Sequence, residues 1–109
     1  MLFRSYQSLY TNTTGASNTA VGYQSLNASS GNVNNTAVGT SALAAATGSY
    51  NTVVGAGAAN TLTTGTQNTI IGNNAQASAV GGVYQIVIGC DNIGNGDNVV
   101  TIGKGGNSA

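Results

Sequence analysis

Two adjacent apolar positions recur inside a fixed polar frame along this chain. They are Ala20-Val21, Ala37-Val38, Val53-Val54 and Ile70-Ile71, each preceded by Asn-Thr and closed by glycine. The closing glycines, Gly22, Gly39, Gly55 and Gly72, are 17, 16 and 17 residues apart. Gln85-Ile86-Val87-Ile88-Gly89 keeps the apolar run 17 residues further on, and Val99-Val100-Thr101-Ile102-Gly103 follows after 14. Upstream, Tyr6-Gln7-Ser8-Leu9 matches Tyr23-Gln24-Ser25-Leu26. The chain therefore holds about six units, the first degenerate because Met1 falls where the phrase's Asn belongs. A short unit that cannot bury its own apolar face is repeated where copies stack.

Within one unit, residues 31–49, the chain opens at a turn (Ser30-Gly31) and enters a short strand, Asn35-Thr36-Ala37-Val38, rich in β-branched positions. Gly39 bends it or admits another backbone. Ser41-Ala42-Leu43 is expected to form a second short strand. Gly15, Gly31, Gly48, Gly65 and Gly82 mark turns, where glycine is expected to supply a positive φ. Two strands and two turns per unit predict an all-β chain: a β-solenoid (β-roll or β-helix) of about six coils of ~17 residues. No apolar face repeats at helical spacing. Residues 1–109 form one domain, with clean repeats over 6–89 and a degenerate C-terminal coil over 90–109.

Neighbours on a strand point to opposite faces. One of the two apolar positions thus fills the coil, and the other is left outside. The outside column is either Val21, Val38, Val54, Ile71 and Ile88 or the Ala/Val/Ile column beside it. An exposed apolar column of that length marks an interface, and three chains about a common axis would bury it. Asn18, Asn35, Asn51 and Asn68 are read as an internal ladder of side-chain amides bonding along the stack.

Charge sharpens the stacking argument. Only Arg4, Asp91, Asp97 and Lys104 are charged, so residues 5–90 carry none, where ordinary domains hold about 25%. Equivalent side chains in successive coils lie about 4.8 Å apart, a distance at which like charges repel directly. The balance leaves no footprint for nucleic acid. No apolar segment is long enough to span a membrane as a helix, and the first ten residues lack the apolar core of a secretory signal.

Catalytic material is nearly absent: there is no His, no Glu and a single Cys, so no enzyme activity and no cofactor are expected. Cys90 is expected to pack passively. Asp91 and Asp97, set among Asn and Gly, are weak candidates for a metal turn; a polar cap is the simpler reading. Tyr6 and Tyr23 share one slot and Tyr50 and Tyr84 another. Such rows suit either packing between coils or stacking on a carbohydrate.

The phrases Asn18-Thr19-Ala20-Val21-Gly22-Tyr23-Gln24-Ser25-Leu26 and Asn35-Thr36-Ala37-Val38-Gly39-Thr40-Ser41-Ala42-Leu43 resemble repeats of bacteriophage tail fibres. They are also similar to head repeats of trimeric autotransporter adhesins. The resemblance covers residues 6–89 and implies a parallel homotrimeric fibre segment, extracellular or on a virion surface, that contacts a cell-surface carbohydrate or receptor. The autotransporter repeats are shorter, and their coiled-coil stalk and membrane-barrel anchor have no counterpart here. Nor has the cleavable chaperone domain that often ends such phage fibres. A structural and adhesive fibre segment is therefore the leading expectation. The rivals are a self-assembling extracellular filament subunit, joined through coil ends, and an ice-binding solenoid presenting Thr19, Thr36, Thr52 and Thr69 to water.

Overall fold

A computed structural model describes residues 6–103; the start of the degenerate first unit, with Met1, and the two cationic side chains lie outside that range. Six three-residue strands follow one another: β1 (Thr19–Val21), β2 (Thr36–Val38), β3 (Thr52–Val54), β4 (Thr69–Ile71), β5 (Ile86–Ile88) and β6 (Val100–Ile102). They form one parallel sheet in chain order. Every pairing is in phrase register, so Thr19, Thr36, Thr52, Thr69, Ile86 and Val100 make one row. Each strand returns beside its predecessor after one circuit, giving a parallel β-solenoid of about five turns. The described residues contain no helix. The body is thin, with principal extents of 41 × 31 × 16 Å.

The glycine closing each strand is fixed twice over. Gly22, Gly39, Gly55, Gly72 and Gly89 have φ between 127° and 140°, a region nearly reserved for glycine. A Cβ on Gly39 would also lie 2.6 Å from the Gly55 carbonyl carbon, and one on Gly55 the same distance from that of Gly72. The coils touch through bare backbone here.

The turn glycines work differently from expectation. Of Gly15, Gly31, Gly48, Gly65 and Gly82, only Gly31 (φ 85°) is left-handed. The others are constrained by space: a Cβ on Gly48 would strike the Gly65 carbonyl, and one on Gly65 the Gly82 carbonyl. The positive φ values sit instead on residues with side chains. Ser17, Asn34, Tyr50, Gln67, Tyr84 and Asn98, each just before a phrase, have φ of 55–63°. Gln24, Ser41, Asn74 and Asp91 form a second left-handed column, and Leu26, Leu43 and Ala59 a third. Each such residue costs about 1–2 kcal/mol, offset by bonds running along the stack.

Those left-handed residues also remove the second strand expected at Ser41-Ala42-Leu43, which is a turn. Lengthwise bonding persists there without extended backbone. Ser41 N–H donates to Tyr23 C=O at 2.8 Å, Leu26 N–H to Ala42 C=O at 3.0 Å, and Leu43 N–H to Ala58 C=O at 2.9 Å. The column before the phrase does likewise, with Tyr50 N–H on Val33 C=O at 3.1 Å and Gln67 N–H on Ser49 C=O at 3.2 Å.

The interior is narrow and apolar. The middle residue of each strand points in: Ala37, Val53, Ile70 and Val87 are fully buried. The buried side chain grows from Ala37 through Val53 to Ile70 in successive coils, all within the interior of a single chain. Small residues Ser25, Ala42, Ala58 and Ala75 follow three places after the phrase glycines and are also buried. Leu26, Leu43 and Leu62 are the largest buried side chains, each worth about 1.5–3 kcal/mol on burial. The leucine changes place between coils: one coil has Leu43 with Ala46, the next Ala59 with Leu62, all four buried. In both of these layers one large and one small residue fill the interior, conserving volume.

Candidate functional site

The alternation that buries Ala37, Val53 and Ile70 turns both flanking residues of each strand outward. One face of the sheet therefore carries two columns. The first is Thr19, Thr36, Thr52, Thr69, Ile86 and Val100; the second is Val21, Val38, Val54, Ile71, Ile88 and Ile102. Val21 is 51% exposed, Val54 39%, Ile71 38% and Ile102 70%. Of the two columns left open by the sequence, the Val/Ile one is outside. No side chain of this face is charged.

The Asn ladder ties the coils together behind that face. Asn35 N–H donates to Asn18 Oδ1 at 2.9 Å, Asn51 N–H to Asn35 Oδ1 at 2.9 Å, and Asn68 N–H to Asn51 Oδ1 at 3.1 Å. The amide groups add their own rungs, from Asn51 Nδ2 to Asn35 Oδ1 (3.2 Å) and from Asn68 Nδ2 to Asn51 Oδ1 (3.0 Å). Each Nδ2 also reaches a turn carbonyl: Asn35 to Gly48 at 2.9 Å, Asn51 to Gly65 at 2.9 Å and Asn68 to Gly82 at 2.7 Å. Asn35, Asn51 and Asn68 are buried, so each amide unites three backbone segments that would otherwise hold orphaned polar groups.

The ladder ends at Gln85. Its N–H makes the last rung by donating to Asn68 Oδ1 at 3.0 Å, but its longer side chain turns aside. Gln85 Nε2 donates to Ser78 Oγ (2.7 Å) and Asp97 Oδ1 (2.9 Å), and Gln85 Oε1 accepts from Ser78 N–H (2.9 Å). Asp97 Oδ1 also accepts Val83 N–H at 2.8 Å. The bond from Val83, then that from Gln85, holds the Asp97 carboxyl below its ordinary value of 3.8, against a smaller opposing effect of burial. A depressed carboxyl contributes stability above its unfolded value and loses it as pH falls through its folded one. The wild-type unfolding temperature should therefore drop below about pH 4, and Asp97→Asn, which keeps an acceptor but does not titrate, should flatten that drop in thermal melts.

The remaining sequence candidates scatter. Tyr6 and Tyr23 stack, with ring centroids 5.8 Å apart and planes 8° from parallel. Tyr50 and Tyr84 share a column but are separated by the Gln67 row, and both are more than half exposed. Cys90 is exposed, which overturns the expected packing role; it sits in the outward slot of Tyr23, Thr40, Ala56 and Asn73, and its Sγ donates to Asp91 Oδ2 at 3.3 Å. Asp91 Oδ1 accepts from Asn74 Nδ2 at 3.2 Å. Among the described residues no three His, Cys, Asp or Glu side chains gather as metal ligands, and no helix is long and apolar enough to cross a membrane. From sequence alone the Thr column reads only as a water-ordering row. Its place beside the Val column follows from the period of two along the strand.

No protein-family model, curated protein or solved structure matches the chain.

Proposed function

We propose that this chain is a shaft segment of an adhesive fibre, in which three copies pack in parallel through their outer sheet faces on a cell or virion surface. One observation carries the reading: an uncharged outer face six strands long, Thr beside Val or Ile over four rows and wholly apolar over the last two, on a slab only 16 Å thick. So thin a body buries few large apolar side chains and gains little from its own core. Covering the Val/Ile column with the same column of other copies supplies the missing burial. Identical uncharged faces meet without repulsion. The lengthwise hydrogen bonds would give such a shaft stiffness, and the exposed stacked pair Tyr6 and Tyr23 offers a surface on which a receptor sugar could stack. The reading assigns no catalysis.

The test is a sedimentation measurement on the wild type and on Val54→Lys. The wild type should sediment as three chains. The lysine, placed mid-face, must be desolvated or leave the interface, so the oligomer should weaken at least about tenfold. A variant that associates as the wild type does would exclude this face.

A second reading, ice binding, draws on the regular Thr19, Thr36, Thr52 and Thr69 column on the outer face of the sheet. Ile86 and Val100 break that column over its last third. A thermal-hysteresis assay separates the two readings, since a fibre shaft should leave ice growth unaltered.

A further inference from the structure

We infer that the apolar end of the outer face, built by Ile86, Ile88, Val100 and Ile102, fixes the axial register between copies; this rests on the self-association proposed above. Repetition creates the problem. Rows Thr19/Val21, Thr36/Val38, Thr52/Val54 and Thr69/Ile71 are nearly interchangeable, so sliding one copy by one strand spacing, about 4.8 Å, re-forms almost every contact. Strands whose pattern repeats are weakly registered. No charge on the face can arbitrate, unlike the charged flanks that set pairing in coiled coils. A stagger applied equally to three chains cannot close around an axis. The competing state is therefore one chain displaced along the other two.

The last two rows break the degeneracy. Where the first four strands place Thr, β5 and β6 place Ile86 and Val100, 39% and 60% exposed, beside Ile88 and the 70% exposed Ile102. In register, this wholly apolar block meets itself. A one-row slip sets the Thr69 hydroxyl against Ile86 and leaves one apolar row overhanging in water, and both effects oppose the slip. The polar-to-apolar step between β4 and β5 thus acts as an index mark.

Cross-linking reads the register directly. In full-length chains carrying Cys90→Ser, one population bears Val21→Cys and a second, differently tagged, bears Val38→Cys. In-register copies join like sites, whereas a one-row slip joins the 21 site to the 38 site. With the natural face, like-site products should exceed mixed ones by about tenfold. Removing the step by Ile86→Thr with Val100→Thr leaves only the overhanging row to oppose the slip and should raise the share of mixed product several-fold. The opposite uniform face, made by Thr19→Val, Thr36→Val, Thr52→Val and Thr69→Val, should do the same while associating more tightly, a result that added stability alone would not give. Mixed products that stay rare in both variants, with the oligomer intact, overturn the index role. A monomeric natural-face protein with no cross-links overturns the self-association itself.

Discussion

Gly55→Ala is expected to remove most of the stability of this chain. Two independent costs meet at the site. With φ at 140° the backbone occupies a region that an L side chain rarely enters, a strain of about 1–3 kcal/mol. The new methyl would also lie 2.6 Å from the Gly72 carbonyl carbon and 3.1 Å from the Asn73 nitrogen. Backbone cannot swing aside as a side chain can, so the coils must part, stretching the bond from Gly72 N–H to Val54 C=O, now 2.8 Å. Overpacking of this kind adds about 1–3 kcal/mol. The sum, about 2–6 kcal/mol, is a large share of what a domain of this size holds. Two controls separate the costs. Gly103→Ala keeps the φ of 151° but meets no atom of the described residues within 4 Å, so it should show the strain alone. Gly81→Ala has neither a left-handed φ nor backbone in the way and should cost under about 1 kcal/mol. Denaturant melts followed by circular dichroism give all three; equal midpoints for Gly55→Ala and Gly81→Ala would refute the close backbone contact between coils.

Asn51→Leu should be nearly as severe, through orphaned polar groups. The leucine is of similar size, so no large cavity forms. It deletes the acceptor for Asn68 N–H (3.1 Å) and Asn68 Nδ2 (3.0 Å) and the donor to the Gly65 carbonyl (2.9 Å). Each buried group left unmade costs about 1–3 kcal/mol, which puts the loss at about 3–5 kcal/mol after partial relaxation. Asn51→Asp is the diagnostic companion. Its carboxylate accepts from Asn68 but faces the Gly65 carbonyl with no proton to share, buried and without a cation. Its folded value must then be raised, because burial and that carbonyl disfavour the charge. A raised carboxyl destabilises as pH climbs through neutrality and recovers in acid. The Asn51→Asp melting temperature should thus rise as pH falls from 7 to 4, opposite in sign to the Asp97 effect in the wild type. A pH-independent melt for this variant would mean that Asn51 is not enclosed between coils.

Much of this was legible because the chain states it six times. The phrase spacing gave strand positions, and the pleat required one of each apolar pair to face out. The Asn column pointed to an amide ladder because stacked equivalents lie one strand apart. What escaped reading depends on conformations that residue type does not announce. Leu26 and Leu43 are left-handed and buried; leucine is no signal for that backbone, so the segment from Ser41 to Leu43 reads as a strand. Gly48 and Gly65 look like ordinary turn glycines, yet the neighbouring coil, not φ, requires them. Gln85 occupies an Asn slot, and only its longer side chain, turned to Ser78 and Asp97, ends the ladder. The exchange of Leu43/Ala46 for Ala59/Leu62 is visible only once the coils are superposed in space.

The most direct measurement is the protection of the outer face in solution. In a Cys90→Ser background, Val54→Cys places a thiol on the Val/Ile column, and Ala56→Cys places one on the outward slot two residues later. If copies cover this face, the thiol at 54 should react with a maleimide at least about tenfold more slowly than the thiol at 56 under native conditions, and equally fast once the chains are denatured. Equal native rates at the two sites would show the Thr/Val face bare in solution and contradict the proposed fibre.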